Sequence, residues 1–288
     1  MMFLQTYGVT DALCLRLVRK YGNTAKTVLE TDPYRIIREV KGIGFKTADK
    51  IALNLGLSNN GPKRIEAGIL HTVQEAEDQG HNHMERRELV IQSANLLESD
   101  SNEIDNRIES LIESADLVIS KADWLQLPST ARAEITLARS LINLNQTRSS
   151  LPPIQTEKAI AWAQDKAGFG FADAQSDGIR EALLAKVSIL TGGPGTGKTT
   201  ILRALVSILR AKKAKVLLAA PTGRAARRMA ESCSYFAQTV HRLLKFDPSQ
   251  GGFTVNEQNP LICDFIIMDE ASMLDLRLAA ALVRSIPP

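Results

Sequence analysis

"VSILTGGPGTGKTT", residues 187–200, decides how the second half of this chain is read. Gly192, Gly197, Lys198 and Thr199 stand in the spacing GxxxxGK[ST], after a short apolar run and before the amphipathic stretch "TTILRALVSILRAK". In that context each residue type has a physical role. The glycines let backbone amides turn around nucleotide phosphates, and a helix N-terminus adds partial positive charge. Lys198 reaches the β- and γ-phosphates, and Thr199 can ligand magnesium. Gly193, Pro194, Gly195, Thr196 and Thr200 complete the loop. The competing reading is a glycine-rich turn that merely joins strand to helix, and the agreement of spacing with both flanks weighs against it.

Downstream, "DFIIMDEAS" (264–272) ends an apolar run in two carboxylates. Asp269 is positioned to hold a magnesium ion and Glu270 to polarise an attacking water. An ordinary strand terminus looks the same in isolation, but this one follows the phosphate loop by about 70 residues. The runs "KVSIL", "AKVLLAA" and "DFIIMDE" alternate with helical segments, which predicts a parallel sheet between helices.

The front of the chain differs in character. "TDALCLRLVRKYG", "DPYRIIREV" and "KTADKIALNLGL" read as short helices divided by glycine, with Leu13, Leu17 and Val18, and Ala48, Ile51, Ala52 and Leu55, at helical spacing. Three further helical stretches follow, then "DLVISKADWLQLP", whose alternation predicts a hairpin. The polar, proline-ended segment "NLNQTRSSLPPIQ" (143–155) marks a domain boundary.

Composition sets limits on all of this. Of 288 residues 44% are hydrophobic, enough to bury a core in each of about two domains. Lys+Arg number 35 against 32 Asp+Glu, an excess of +3 that permits nucleic-acid contact without predicting it. Three cysteines far apart suggest neither a zinc site nor a disulfide framework and fit a reduced, cytoplasmic setting. No run approaches a membrane span. His81 and His83 in "GHNHMERREL" lack a cysteine or convincing carboxylate partner and read as exposed loop residues, not metal ligands. Trp124 and Trp162 read as core or domain-packing residues.

Taken together, "TGGPGTGKTT", "APTGRAARRM", "TVHRLL" and "IIMDEASMLD", in that order, resemble the RecD-type superfamily 1 DNA helicases, the group that includes exodeoxyribonuclease V alpha-like proteins. The likeness extends upstream to "FADAQSDGIREAL", where Gln175 occupies the position of the family's adenine-reading glutamine. It implies that Pro221, Thr222, Gly223 and Arg224 lie on the path of single-stranded DNA, followed by Thr239 and His241. Arg227 and Arg228 add charge there or form a solvated face, and for His241 a structural hydrogen bond is as good a reading as a DNA contact. "EVKGIGFKTADKIA" looks like a helix-hairpin-helix, in which Gly42 and Gly44 bring amides to one phosphate and Lys46 adds charge without reading bases. "QTYGVTDALCLRLVRKYG" resembles a degenerate partner lacking the second glycine.

The expected architecture is multidomain: a helix-hairpin-helix region at 1–60, a helical, winged-helix-like region at 61–150, and an incomplete α/β RecA-like P-loop NTPase domain at 151–288. The resemblance implies an ATP-dependent DNA helicase of repair or recombination, moving 5′ to 3′ on single-stranded or forked DNA with ATP and Mg2+ and acting as a monomer. It also implies a third motif, on a strand between those of the P-loop and the acidic pair, and a second RecA-like domain. The expectation is therefore a segment truncated at both ends, with both flanking strands left without a neighbour. The other expectation is a non-enzymatic DNA-binding module with a vestigial or regulatory ATP site. A small-molecule kinase would explain "GPGTGKTT" but not "APTGRAARRM", "TVHRLL" or the hairpin at Gly42.

Overall fold

The computed structural model describes residues 10–149, 151–249 and 251–287, so residues 5–9 of the degenerate hairpin lie outside the described residues. The chain divides into two compact units, Met1–Ala131 and Arg132–Pro288.

The first unit opens with α1 (Asp11–Tyr21), α2 (Ala25–Thr31), α3 (Arg35–Glu39) and α4 (Phe45–Asn54). Leu13 and Leu17 of α1, and Ala48, Ile51 and Ala52 of α4, are buried as their spacing requires, whereas Val18 stays exposed. Pro62 occupies the first turn of α5 (Pro62–Asp78), where its missing N–H costs nothing, and Ile65, Ile69, Thr72 and Val73 form that helix's inner face. Then come β1 (Met84–Glu85), α6 (Arg86–Leu97), α7 (Ser101–Glu113), β2 (Val118–Lys121) and β3 (Trp124–Gln126). Asp100 caps α7 by accepting from the Asn102 amide at 2.8 Å. The three strands form an antiparallel sheet in the order β1-β3-β2. Helix, strand, two helices and two strands is the order of a winged helix. The hairpin is where the alternation predicts it; β1 has no such signal, because its one buried apolar residue, Met84, sits in a polar loop.

One core runs from Leu13 to Leu125 across the expected division at residue 60. The units divide at 131/132, inside α8 (Pro128–Gln146), and not in the polar segment at 143–155. Helix continues through the first residues of that segment because Leu141 and Leu144 continue an apolar stripe that packs in the second unit.

The second unit contains α9 (Thr156–Ala167), α10 (Asp173–Leu184), α11 (Lys198–Ala211), β4 (Val216–Ala220), α12 (Gly223–Cys233), β5 (Ala237–Thr239), α13 (Val240–Leu243), β6 (Phe246–Asp247), β7 (Gly252–Phe253), β8 (Phe265–Met268) and α14 (Leu276–Arg284). β4 lies between β5 and β8, parallel to both. Its residues alternate between two cores: Val216 and Leu218 face Ile201, Leu205 and Leu209 of α11, while Leu217 and Ala219 join Val240, Leu278 and Leu282 on the other face. A strand covered on both faces reads as a continuous apolar run, as "VLLAA" does.

The expected strand "KVSIL" does not form. β4 is paired on both edges, and neither outer edge, that of β5 or that of β8, pairs with residues 186–190; the cavity lies between them and β8, so their apolar alternation joins no ladder. Ile189 is left 87% exposed. The expectation that the acidic-pair strand also lacks a neighbour is half corrected: β8 pairs with β4 along Val216↔Phe265 to Ala219↔Met268. Residues 187–190 and β8 both line a cavity of about 540 Å³, with Leu202, Leu205 and Leu282.

In the first unit Arg64 ties the hairpin region to the winged region. It is 8% exposed and donates to both Asp49 oxygens, at 2.8 and 3.1 Å, and to the Asn59 and Leu97 carbonyls, at 2.8 and 2.9 Å. Tyr34 Oη donates to the same Asp49 carboxylate at 2.6 Å. Burial and that carboxylate push the Tyr34 phenol well above its ordinary range, so it remains a donor. Removing one partner of a buried pair strands the other charge, so Asp49→Ala is expected to cost about 3 kcal/mol in urea unfolding, whereas exchanging both Asp49 and Arg64 for apolar residues should cost less.

Candidate nucleotide and nucleic-acid sites

α11 begins at Lys198, with Gly197 at its N-cap in the left-handed region at φ +85°. A Cβ on Gly197 would displace Nε2 of Gln175, the movable end of a side chain, so it is the left-handed dihedral that demands glycine. Lys198 Nζ donates to the Gly192 and Gly193 carbonyls, at 2.5 and 2.8 Å, and Thr196 Oγ1 donates to Gly193 O at 2.9 Å. The lysine thus lies folded onto its own loop. Gly192, Gly193, Pro194, Gly195, Thr196 and Thr199 are exposed, and Thr200 is half-buried.

Gln175 sits in the first turn of α10. Its Oε1 accepts from the Ala172 amide at 3.1 Å, the backward half of a capping box, and its Nε2 donates to Thr196 O at 3.2 Å. Both ends of its amide hold the phosphate loop to the start of α10. Reading a base would require exchanging at least one of them.

Asp269 leaves β8 with its amide bonded to Ala219 O at 3.0 Å, and its Oδ1 accepts from the Glu270 amide at 2.9 Å. Glu270 takes a left-handed backbone, φ +53°, and is exposed. Lys198 and Asp269 line the same cavity. The Asp269 carboxylate and the Thr199 hydroxyl are hard oxygen donors of the kind magnesium takes beside phosphate oxygens.

The carboxyl edge of the sheet gathers the remaining motifs. The register Ala220↔Thr239 beside Ala219↔Met268 brings Pro221, Thr239 and Asp269 out at one edge, where open α/β sheets bind their ligands. Thr222 and Thr239 are both helix caps: Thr222 Oγ1 accepts from Ala225 N at 3.2 Å and Thr239 Oγ1 from Arg242 N at 3.3 Å. Gly223 opens α12, and Arg224 and Arg228 are exposed on it, while Arg227 pairs with Glu231 at 2.9 Å. The His241 ring packs against Phe253 and Phe246 of the β6–β7 hairpin, centroids 5.8 and 6.3 Å away.

In the first unit residues 40–44 join α3 to α4. Ile43 is buried and anchors the turn, and Gly44 caps α4. Space beside Gly44 is open, whereas a Cβ on Gly42, at φ +83°, would lie 2.8 Å from Nη1 of Arg16. Lys46, 74% exposed, pairs with Glu75 at 3.3 Å. Arg16 belongs to no motif; on "RLVRK" it cannot be told from Arg19 or Lys20 by sequence.

Trp124 and Trp162, read as core or domain-packing residues, are 44% and 41% exposed and so belong to no core. Trp124 faces outward from the small sheet between Glu85 and Lys121, and Trp162 lies under Lys166 Nζ at 5.0 Å, one helical turn on. Among the described residues no cluster of His, Cys, Asp and Glu could hold a metal ion, and no helix is long and apolar enough to cross a membrane. The cysteines are free.

Two family models match the chain, an ATP-dependent RecD2 DNA helicase HHH domain over residues 1–83 and an AAA domain over 175–288. Over 99% of its length the chain is 31% identical to the ATP-dependent RecD2 DNA helicase of Deinococcus radiodurans. The chain belongs to the RecD-like helicase family. It spans 41% of the length of that relative. It is also 31% identical to the RecBCD enzyme subunit RecD of Haemophilus influenzae, over 56% of this chain and 27% of that one. With the ATP-dependent DNA helicase dda of phage T4 it shares 31% identity over 34% of this chain and 24% of that one. Of the winged region, α5 lies within the first family model, whereas β1 to β3 with α6 and α7 fall between the two models but within the alignment to the Deinococcus protein. Nucleotide use goes with this family.

The loop geometry separates two glycines that look alike in sequence. Gly197→Ala is expected to destabilise the second unit by about 1–2 kcal/mol, from the left-handed backbone. Gly193→Ala, with open space and no left-handed requirement, should stay within about 0.5 kcal/mol. Urea unfolding followed by circular dichroism compares the two.

Proposed function

We propose that this chain carries the nucleotide-binding and DNA-contacting front of an ATP-dependent DNA helicase that moves 5′ to 3′ along single-stranded DNA in repair or recombination. The observation that carries the reading is the carboxyl edge of the parallel sheet, from which Pro221–Arg224, Thr239 and the Asp269–Glu270 pair emerge side by side. At the nucleotide end it is supported by the exposed glycine loop that closes onto the N-terminus of α11, with Lys198 folded against the Gly192 and Gly193 carbonyls. The names of the Deinococcus and phage relatives, both ATP-dependent DNA helicases, agree.

In this reading Lys198 exchanges its contacts with the Gly192 and Gly193 carbonyls for phosphate oxygens, and the amides of Gly193, Gly195, Thr196 and Gly197 follow. Thr199 and Asp269 hold Mg2+, which neutralises charge on the phosphates. Glu270 orients a water. At the sheet's edge the N-termini of α12 and α13 present amides, and Arg224 presents charge, to the DNA backbone. At the hairpin the bare Cα of Gly44 lets a phosphate approach the start of α4, with Lys46 released from Glu75 to meet it. The contacts are to phosphates, so binding is indifferent to base sequence. The occupied amide of Gln175 adds a consequence: a base that engages it loosens the tie between Thr196 and α10, which couples base recognition to loop conformation.

Calorimetry with a non-hydrolysable ATP analogue and Mg2+ tests the nucleotide site. Lys198→Ala is expected to lower affinity at least tenfold, and Glu270→Gln to leave it within about twofold; equal binding by parent and Lys198→Ala sinks the assignment. Fluorescence anisotropy with a forked oligonucleotide tests the DNA sites. Affinity should fall steeply with salt, and Gly44→Val should weaken it while lowering the melting temperature by only a few degrees, for the loss of a favourable N-cap residue, because nothing lies within 4 Å of the added Cβ.

A further inference from the structure

We propose that Arg16 is a positioning and phosphate-contacting residue of the hairpin, reaching from α1 to fix the turn at Lys41–Gly42 and to place a second cation beside the DNA phosphate met by Gly44 and Lys46. This rests on the reading of residues 40–46 as a DNA site. Three observations carry it. Arg16 Nη1 donates to the Lys41 carbonyl at 3.2 Å, across 25 residues of sequence. The guanidinium lies so close to Gly42 that any Cβ there would come within 2.8 Å of Nη1. Finally, Arg16 is exposed, and among the described residues no carboxylate pairs with it or with Lys41 of the turn, whereas Lys46 is held by Glu75.

The chemistry follows from the guanidinium's shape. It carries five N–H donors in a fixed plane, and only one is spent on Lys41 O. With the Lys41 carbonyl capped by a cation and the Ile43 amide bonded to Val40 O at 3.3 Å, the Gly42 and Gly44 amides are the groups of the turn left for an anion. The remaining donors suit a phosphate, which accepts two parallel N–H bonds from one guanidinium. A lysine at this position could supply the charge but not both contacts. The segment "QTYGVTDALCLRLVRKYG", which resembles a degenerate partner of the hairpin, thereby gains a role, since it lends its arginine to the intact one.

The test uses the full chain and a fluorescein-labelled forked oligonucleotide, with affinity measured across a salt series. Arg16→Gln is expected to weaken binding about tenfold at low salt and to reduce the slope of log K against log salt by about 0.7 to 0.9, one phosphate contact. Arg16→Lys should keep the slope and lose only part of the affinity, a rescue that a merely structural role would not give. Arg19→Gln, an equal charge change on the same helix, should leave the slope unchanged. ATP-analogue affinity and melting temperature should hold in all three. If Arg16→Gln leaves the slope unchanged while Gly44→Val and Lys46→Ala weaken binding, this inference fails and the hairpin reading stands. If those two variants also bind like the parent, the hairpin reading itself fails. Equal slope losses from Arg16→Gln and Arg19→Gln would reduce the effect to bulk charge and overturn the specific role.

Discussion

A loop that offers its N–H groups to an anion must satisfy its own carbonyls from within, and in this chain side-chain donors do so. Arg16 takes the Lys41 carbonyl behind the hairpin, Lys198 takes those of Gly192 and Gly193 in the phosphate loop, and Gln175 takes that of Thr196. Arg64 does the same for Asn59 and Leu97 where α4, α5 and α6 meet. The penalty of about 1–3 kcal/mol for an unpaired backbone group away from water applies to the buried Leu97 carbonyl, whereas the carbonyls of the two exposed loops bond side chains in competition with water. These contacts also set the condition for function. In the proposed nucleotide site Lys198 stays accessible enough to trade its carbonyls for a phosphate, whereas Arg64 is buried and fixed by four bonds.

The same backbone requirement shapes the sheet. β4 is paired on both edges and covered on both faces, and it aligns the ends of β5 and β8 so that three separate motifs leave the sheet together. Residues 186–190 have comparable apolar alternation but no strand beside them, so they stay unpaired and partly exposed along the cavity. The free edge of β8 and that unpaired segment line the same space. Its apolar lining, including Leu202, Leu205 and Leu282, has the character of a sheet interior.

In the first unit a single core joins regions that read as separate. Phe45, the first residue of α4, stacks on Tyr34 and on His71 of α5, so the hairpin rests on the same helix that begins the winged region. Arg86 plays a similar part at the other end, donating to Asp105 and Glu109 of α7 while its amide bonds Asp123 O. The hydrogen bonds to Asp105 and Glu109 hold its guanidinium firmly charged in spite of partial burial.

Local sequence determined whatever depends on residue type at fixed spacing. The phosphate loop, the acidic pair, the glycine hairpin, the period of the long helices and the β2–β3 hairpin were legible because each is a contiguous pattern with its own chemistry. Tertiary structure decided whatever depends on a distant partner. A strand exists only if another lies beside it, so "KVSIL" and "VLLAA" look alike and only the second is paired. A tryptophan's burial depends on what covers it, and the core half of the expectation for Trp124 and Trp162 fails because no element covers their rings. The two threonines expected on a DNA path are helix caps, because a cap is defined by where the next helix begins. Arg16 is the clearest case. Its role comes from a hydrogen bond spanning 25 residues, and nothing within "RLVRK" distinguishes it from the cations on either side, because side-chain reach toward a remote carbonyl is set by helix packing and not by local composition.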